Sequence, residues 1–173
     1  MPTSTVGRLN NQHGFTLLEL ALVLLIIGLF STLTLPYVSG MGGNKLDASA
    51  RRLAGVTKYL YNEAALTGRE HRLLFNLDRQ SFEGQSVEDS GQVVAMTGSG
   101  GAYSLPSSVR FKDVQIPGRG KYTEGEHSSR ILPVGWMDET VVHLQSEGGK
   151  QLTLHMNPYT GLTEVFEGYR EFQ

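Results

Sequence analysis

The sequence predicts an α+β fold. A long N-terminal helix, transmembrane in its first half and amphipathic in its second, packs on an antiparallel β-sheet globular domain. Three observations carry this reading. Between Phe15 and Leu35 the only formal charge is Glu19, and the run is apolar on every side. At about 1.5 Å of rise per residue it spans roughly 30 Å, the thickness of a bilayer's hydrocarbon core. Leu46, Ala50, Leu53, Leu60 and Ala64 then recur at spacings of three, four and seven, with Val56 beside them, as on a helix that buries one face. After Gly68 the helical period gives way to short apolar runs separated by Gly, Asn and Asp, the pattern of antiparallel strands.

Composition narrows the function classes. The chain has 173 residues, room for one domain and a membrane segment. Its net charge of −2 favours no strongly charged partner. It has no cysteine, which removes disulfides and thiol chemistry. Most of its 21 glycines fall after residue 83, where they punctuate a turn-rich β half.

The elements follow in order. Residues 1–14 form a short polar leader with Arg8 as its single charge. The apolar half of the helix covers 15–36 and ends at Pro36, which deletes a backbone hydrogen bond and is expected to kink the helix. Gly40, Gly42 and Gly43 follow, so a broken or partly melted stretch is expected from Leu35 to Asn44. The amphipathic half completes 37–68, with Lys45, Arg52, Lys58 and Glu63 largely off the buried stripe and Gly68 as its stop. The β-rich domain covers 69–173. Arg72–Leu77 and Ser81–Glu83 are expected to form a hairpin across Asp78-Arg79-Gln80. Further strands are expected at Val93–Thr97, Val109–Ile116, Arg130–Val134, Thr140–Gln145, Gln151–Met156 and Leu162–Phe166. Glu147–Lys150 and Asn157–Gly161 are expected turns, and residues 117–130 a long polar loop.

The leader carries the most specific signal. His13-Gly14-Phe15-Thr16-Leu17-Leu18-Glu19-Leu20 places a glycine, an apolar residue and a glutamate five residues past the glycine ahead of a membrane-length helix. An ordinary secretory signal is cut after its apolar core, whereas here the candidate cleavage glycine precedes it. This resembles the class III signal of type IV pilins and type II secretion pseudopilins. The resemblance implies that a prepilin peptidase cuts between Gly14 and Phe15 and methylates the new N-terminus on Phe15. It also implies that Glu19 pairs with the N-terminal amine of a neighbouring subunit during filament assembly. A carboxylate in an apolar run asks for such a partner, the other reading being a side chain that snorkels to the interface. A proline at the place of Pro36 is frequent in pilins. The helix-to-strand junction Leu60-Tyr61-Asn62-Glu63-Ala64-Ala65 through Gly68-Arg69 into Leu73-Leu74-Phe75 is similar to the minor pseudopilin H group. So is the segment Leu154–Val165 with Thr160-Gly161. The likeness covers 14–83 and 130–166 and does not extend over 84–129, which are expected to vary.

Other chemistry finds little support in the sequence. No catalytic residue, cofactor or metal site is expected. The histidines His13, His71, His127, His143 and His155 show no HxxxH or HExxH spacing, although His143 and His155 flank one hairpin and are placed to face each other. No GxSxG elbow occurs. Gly118-Arg119-Gly120-Lys121 fails as a phosphate loop, because Gln115 stands where the first glycine is needed and Tyr122 replaces Ser or Thr. The acidic residues Asp78, Glu83, Glu88 and Asp89 form no EF-hand loop, and the calcium loop of major pseudopilins has no equivalent, which favours a minor subunit. The basic residues Arg110, Lys112, Arg119, Lys121 and Arg130 are diluted by Asp113, Glu124 and Glu126, and the C-terminus is acidic, so nucleic-acid binding is disfavoured.

The reading is therefore a non-enzymatic minor pseudopilin of the H type, assembling into a type II secretion filament that drives protein export. The alternative is a minor pilin of a type IV pilus, acting in initiation, adhesion or DNA uptake. The resemblance implies a single-pass protein of the bacterial inner membrane, with its N-terminus cytoplasmic and its globular domain periplasmic. Charge counting alone points the other way, because Lys45, Arg51 and Arg52 follow the span and only Arg8 precedes it. The implied partners are other minor pseudopilins, the major pseudopilin, the prepilin peptidase and the inner-membrane assembly platform.

Overall fold

A computed structural model describes the backbone of residues 17–38 and 41–172, and the side chains of 17–29 and 45–172. The chain divides into two compact units, Met1–Gly40 and Met41–Gln173. The first contains helix α1 (Leu17–Val38), which stays helical through Pro36. The second opens with helix α2 (Met41–Thr67). The expected melted stretch from Leu35 to Asn44 is thus helical at 35–38 and 41–44, and residues 39 and 40 lie outside the described residues.

Strands β1 (His71–Asn76), β2 (Ser81–Val87), β3 (Val93–Ala95), β4 (Tyr103–Ser104) and β5 (Val109–Ile116) follow α2, with a short 3-10 turn at Gly98–Gly100. Then come β6 (Gly120–Tyr122), β7 (Glu126–Leu132), β8 (Trp136–Met137), β9 (Thr140–Ser146), β10 (Gln151–Met156) and β11 (Thr163–Glu167). They form two antiparallel sheets. The first runs β3-β2-β1-β7-β8, with β4 also on β2, and the second runs β11-β10-β9-β5-β6. The α+β class is as expected, but the strands divide between two sheets.

The predicted helical stripe is the centre of the core. Leu46, Leu53, Leu60 and Ala64 are fully buried, and Ala50 and Val56 are almost so. Against them lie Leu73, Phe75 and Ile131 of the first sheet and Val142, Leu144, Leu154 and Met156 of the second. Each fully buried leucine contributes about 1.5–3 kcal/mol by leaving water. The helix ends where expected, with the Gly68 N–H on the Ala64 carbonyl at 3.0 Å. Gly84 on β2 faces Leu60, and a Cβ there would come within 2.6 Å of the leucine's Cδ2. The missing side chain sets how closely α2 approaches the sheet.

Both predicted hairpins around β1–β2 and β9–β10 form, in the registers Asn76↔Ser81 and Gln145↔Gln151. The loop expected over 117–130 does not. Residues 117–119 make a tight turn, closed by the Arg119 N–H on the Ile116 carbonyl at 2.9 Å. Gly120–Tyr122 then pairs with β5, and Glu126–Leu132 pairs with β1 as a central strand. The reason is physical: β6 is a solvent-facing edge, and β7 buries Ser129 as well as Ile131, so neither shows an apolar alternation.

Candidate functional site

The first candidate is the N-terminal segment. Gly14 and Phe15 lie outside the described residues, as does the Pro36 side chain. Glu19 sits in the first turn of α1. Along this helix the apolar side chains are exposed on all sides: Leu17 at 88%, Leu22 at 57%, Leu25 at 65% and Leu29 at 61%. Among the described residues no helix is long and apolar enough to cross a membrane; the expected span continues into residues whose side chains are not described. Among the described side chains of α1, Glu19 is the only charged one.

The second unit is held together by polar contacts between segments distant in sequence. Tyr61, in the junction with the family-like pattern, projects from α2 to the carbonyls of Gly135 at 2.6 Å and Tyr159 at 2.5 Å. Lys58 Nζ donates to the Thr160 carbonyl at 2.8 Å. Gly161, at φ +62°, packs on the Tyr61 ring so closely that a Cβ would lie 2.4 Å from the tyrosine's Cγ. One aromatic side chain thus pins the loops before β8 and β11 to the helix.

Asp138, between β8 and β9, is almost fully buried. It accepts from the Arg130 backbone N–H at 3.0 Å, from the Arg130 guanidinium at 3.1 and 3.2 Å, and from Arg119 at 3.2 Å. Burial pushes its pKa up, but the hydrogen bonds and charge of Arg130, with Arg119 behind them, outweigh this and hold the carboxyl below its ordinary value. Arg119 also donates to the Ser128 carbonyl at 3.0 Å, tying the β5–β6 turn of one sheet to β7 of the other.

The five cations that formed the loose basic cluster are engaged individually. Arg119 and Arg130 serve Asp138, and Arg110 donates to Gln145 at 3.1 Å. Lys112 lies over the Tyr169 ring at 4.6 Å. Lys121 donates to the Tyr169 hydroxyl and sits 3.3 Å from Glu171. The tyrosine bond leads in raising the pKa of Lys121; its slight burial opposes this, and Glu171 and Asp113 add to the rise.

His143 and His155 do not face each other. The register sets His143 opposite Thr153 and His155 opposite Val141. Each has its own acid: His143 Nδ1 lies 2.6 Å from Asp113 Oδ1, and His155 Nε2 lies 2.6 Å from Glu139 Oε1. His143 Nε2 is taken by the Arg170 carbonyl at 2.8 Å, so neither of its nitrogens is left for a metal. Among the described residues no group of three or more His, Asp or Glu is arranged to hold a metal ion. A polar cavity of about 380 Å³ lies between the approach to β5 and the β9–β10 turn; its lining includes Ser107, Ser108, Arg110 and Glu147 but no histidine to activate a serine.

Sequence reasoning found the α2 stripe and the junction around Tyr61 but not the tyrosine's reach, nor the Asp138 cluster, nor the packing of the C-terminus. The pairing of Tyr61 with Gly161, a hundred residues on, left no signal at a fixed spacing. The charge of Asp138 close to Arg130 was visible, but only the β8 turn brings them together.

Comparison with known proteins agrees with both halves. Residues 9–35 match the prokaryotic N-terminal methylation motif. No curated protein matches the chain significantly. Two structures of the minor pseudopilin EpsH from the type 2 secretion system of Vibrio cholerae are similar to it. One has a TM-score of 0.60 at 13% identity, covering 74% of this chain and 98% of that one. The other has a TM-score of 0.57 at 12% identity, covering 71% and 97%. The solution structure of E. coli GspH is similar with a TM-score of 0.54 at 12% identity, covering 75% and 91%. The chain joins an N-terminal methylation motif to a globular unit with the fold of minor pseudopilins.

Proposed function

We propose that this chain is a minor pseudopilin of the H type, a filament subunit of a type II secretion pseudopilus without chemistry of its own. The observation that carries the reading is the methylation motif at 9–35 leading a helix whose apolar residues are exposed on every side. The likeness of the globular unit to minor pseudopilins supports it.

In this reading residues 1–14 are a leader facing the cytoplasm, 15–36 the membrane half of the helix, 37–68 its amphipathic half and 69–173 a periplasmic domain. The peptidase recognises Gly14, and Phe15 becomes the methylated N-terminus. The mature chain leaves the inner membrane by packing its apolar helix among those of other pseudopilins, where Gly28 permits close approach. Glu19 meets the new N-terminal amine of a neighbour, a charge pair in a low-dielectric setting that fixes the axial register. Pro36 loosens the helix where it leaves the membrane. The subunit then contacts the other minor pseudopilins, the major pseudopilin and the assembly platform, and filament growth moves exported proteins outward.

The test is co-expression with a prepilin peptidase, followed by intact mass measurement beside a Gly14→Ala control. Loss of residues 1–14 with gain of one methyl group, only when the peptidase is present and Gly14 is intact, is the expected result. A chain that keeps its leader would overturn the proposal.

A further inference from the structure

Strand β3 is an open edge. It ends the first sheet on one side and pairs with β2, in the register Gln85↔Ala95, Ser86↔Val94 and Val87↔Val93. The flanking bonds fix which backbone groups the pair uses. The Glu88 N–H donates to the Gln92 carbonyl and the Met96 N–H to the Gly84 carbonyl, both at 2.8 Å. Backbone groups alternate sides along an antiparallel strand, so Gln92, Val94 and Met96 turn theirs toward β2. Val93 and Ala95 turn theirs the other way. β2 obeys the same alternation, with the Val87 N–H going to the Glu70 carbonyl at 2.9 Å on the β1 side. Among the described residues no strand takes up the outward groups of Val93 and Ala95.

The other outer strands are guarded. β6 carries Lys121, and β11 carries Glu164 and Glu167. The Met137 N–H of β8 is taken by the Pro158 carbonyl at 2.9 Å. Charges and covered backbone groups keep an edge from pairing. β3 has neither: Val93, Val94 and Ala95 are all exposed, none is charged, and the pairing with β2 runs without a bulge. No residue from Ser90 to Val109 is charged, in a chain that is 18% charged overall. This stretch supplies both β3 and β4, which follow one another along β2. The charges at the β2–β3 turn are engaged with each other, Arg69 pairing with Glu88 at 3.0 Å and with Asp89 at 3.2 Å.

We propose that the free edge of β3 is a docking site for an extended, uncharged segment of another polypeptide, which joins the first sheet as a further strand. Recognition is through the main chain. Val93 and Ala95 each offer one N–H and one carbonyl, at the two-residue repeat of a strand, and an extended backbone presents its own groups at the same repeat. Side chains of the incoming segment lie beside Val93 and Ala95 on one face and beside Val94 on the other. A charge carried in on them meets only an uncharged ribbon, so uncharged β-branched residues suit the site. Two folded copies of this chain meeting on three residues of edge bury far less than the roughly 1,200 Å² of a stable interface, so the occupant is a segment of another chain.

Docking on β3 needs no processed N-terminus, so the test uses the uncut full chain in detergent micelles and reads amide hydrogen exchange. The probe is a capped heptapeptide of alternating threonine and valine, N-methylated on its valines. One edge of this peptide is blocked, which keeps it from stacking into its own sheets, and the other is free to dock. The control peptide has the same side chains and is N-methylated on every residue. With the open-edged peptide the Val93 and Ala95 amides are expected to exchange about tenfold or more slowly, while the Val94 amide, already bonded to β2, keeps its rate to within about twofold. The control is expected to slow neither. No slowing at Val93 and Ala95, or equal slowing with the control, would overturn the proposal. So would protection of these two amides that grows with protein concentration before peptide is added, because a second copy would then be the occupant. The same peptide with glutamate in place of its valines is expected to leave both rates unchanged, and equal slowing by it counts against an uncharged partner.

Ala95→Pro removes one outward N–H, and an edge strand tolerates proline where its N–H faces solvent. It is expected to weaken the open-edged peptide about two- to tenfold, the usual worth of one hydrogen bond. Undiminished binding to this variant counts against the site. If the variant loses the wild-type protection at Val94, the open-edged and fully methylated peptides on the wild-type chain decide.

Discussion

The two helices of this chain, α1 and α2, treat their apolar residues in opposite ways. In α2 the stripe from Leu46 to Ala64 is buried to within 2% and its other faces are polar. In α1 the large apolar residues from Leu17 to Leu29 are exposed between 43% and 88%. The difference teaches that burial is completed within the chain for one helix and left to the surroundings for the other. An amphipathic helix specifies a protein interior, whereas an apolar cylinder specifies an apolar medium or a bundle of its own kind.

Four substitutions test how sharp this division is, and all are read by chemical denaturation of the globular unit within the full chain. Leu60→Ala, next to the side-chain-free Gly84, opens a cavity under α2 and is expected to cost about 2–5 kcal/mol. Leu25→Ala, its counterpart in α1, is expected to leave the same transition unmoved. Equal losses would dissolve the comparison. Gly161→Ala is expected to cost about 2–4 kcal/mol, because it places a Cβ against the Tyr61 ring at a backbone angle L-residues disfavour. Gly28→Ala in α1, where a Cβ meets nothing within 4 Å, is expected to leave the transition in place.

The smallest of the expected losses belongs to Asp138. Its pKa is depressed in the folded state, so its contribution is fully present above the ordinary value of 3.8 and is lost as pH falls through the folded value. Asp138→Asn is expected to cost about 1.5–3 kcal/mol at neutral pH, the usual worth of hydrogen bonds to a charged group. It is also expected to flatten this part of the acid limb. A denaturation series from neutral pH to below the ordinary carboxyl range reads both effects, and an unchanged acid limb would mean that Arg130 and Arg119 bind Asp138 no better folded than unfolded.

Those elements that bury an apolar face with a clear period were legible in the sequence. The α2 stripe, β5 and β10 appear at the residues expected, because helical and strand periods leave different spacings and because Asp78–Gln80 and Gly148-Gly149 mark turns. The leader motif was legible for another reason: its chemistry lies in consecutive residues. The strands β6 and β7 were hidden by polar positions such as Ser129, which is buried by its bond to the Asp138 carbonyl rather than by hydrophobicity. β4 and β8 have two residues each and carry no period. The Asp138 cluster and the closure of Gly168–Phe172 over β5, β9 and β10 join residues far apart along the chain. Read locally, Glu164–Gln173 is only an acidic end.

One feature of the core also governs how the chain is made. α2 is complete at Thr67, yet its stripe is roofed by β9 and β10 as well as by β1 and β7, and Thr57 touches Met156 of β10 at 3.6 Å. At a synthesis rate of about 5–20 residues per second, the helix waits on the order of ten seconds before the last of its covering strands exists. During that interval the nascent chain presents an uncovered apolar ridge directly after an apolar membrane-length segment. Until the sheets close, no strand of the chain covers that ridge.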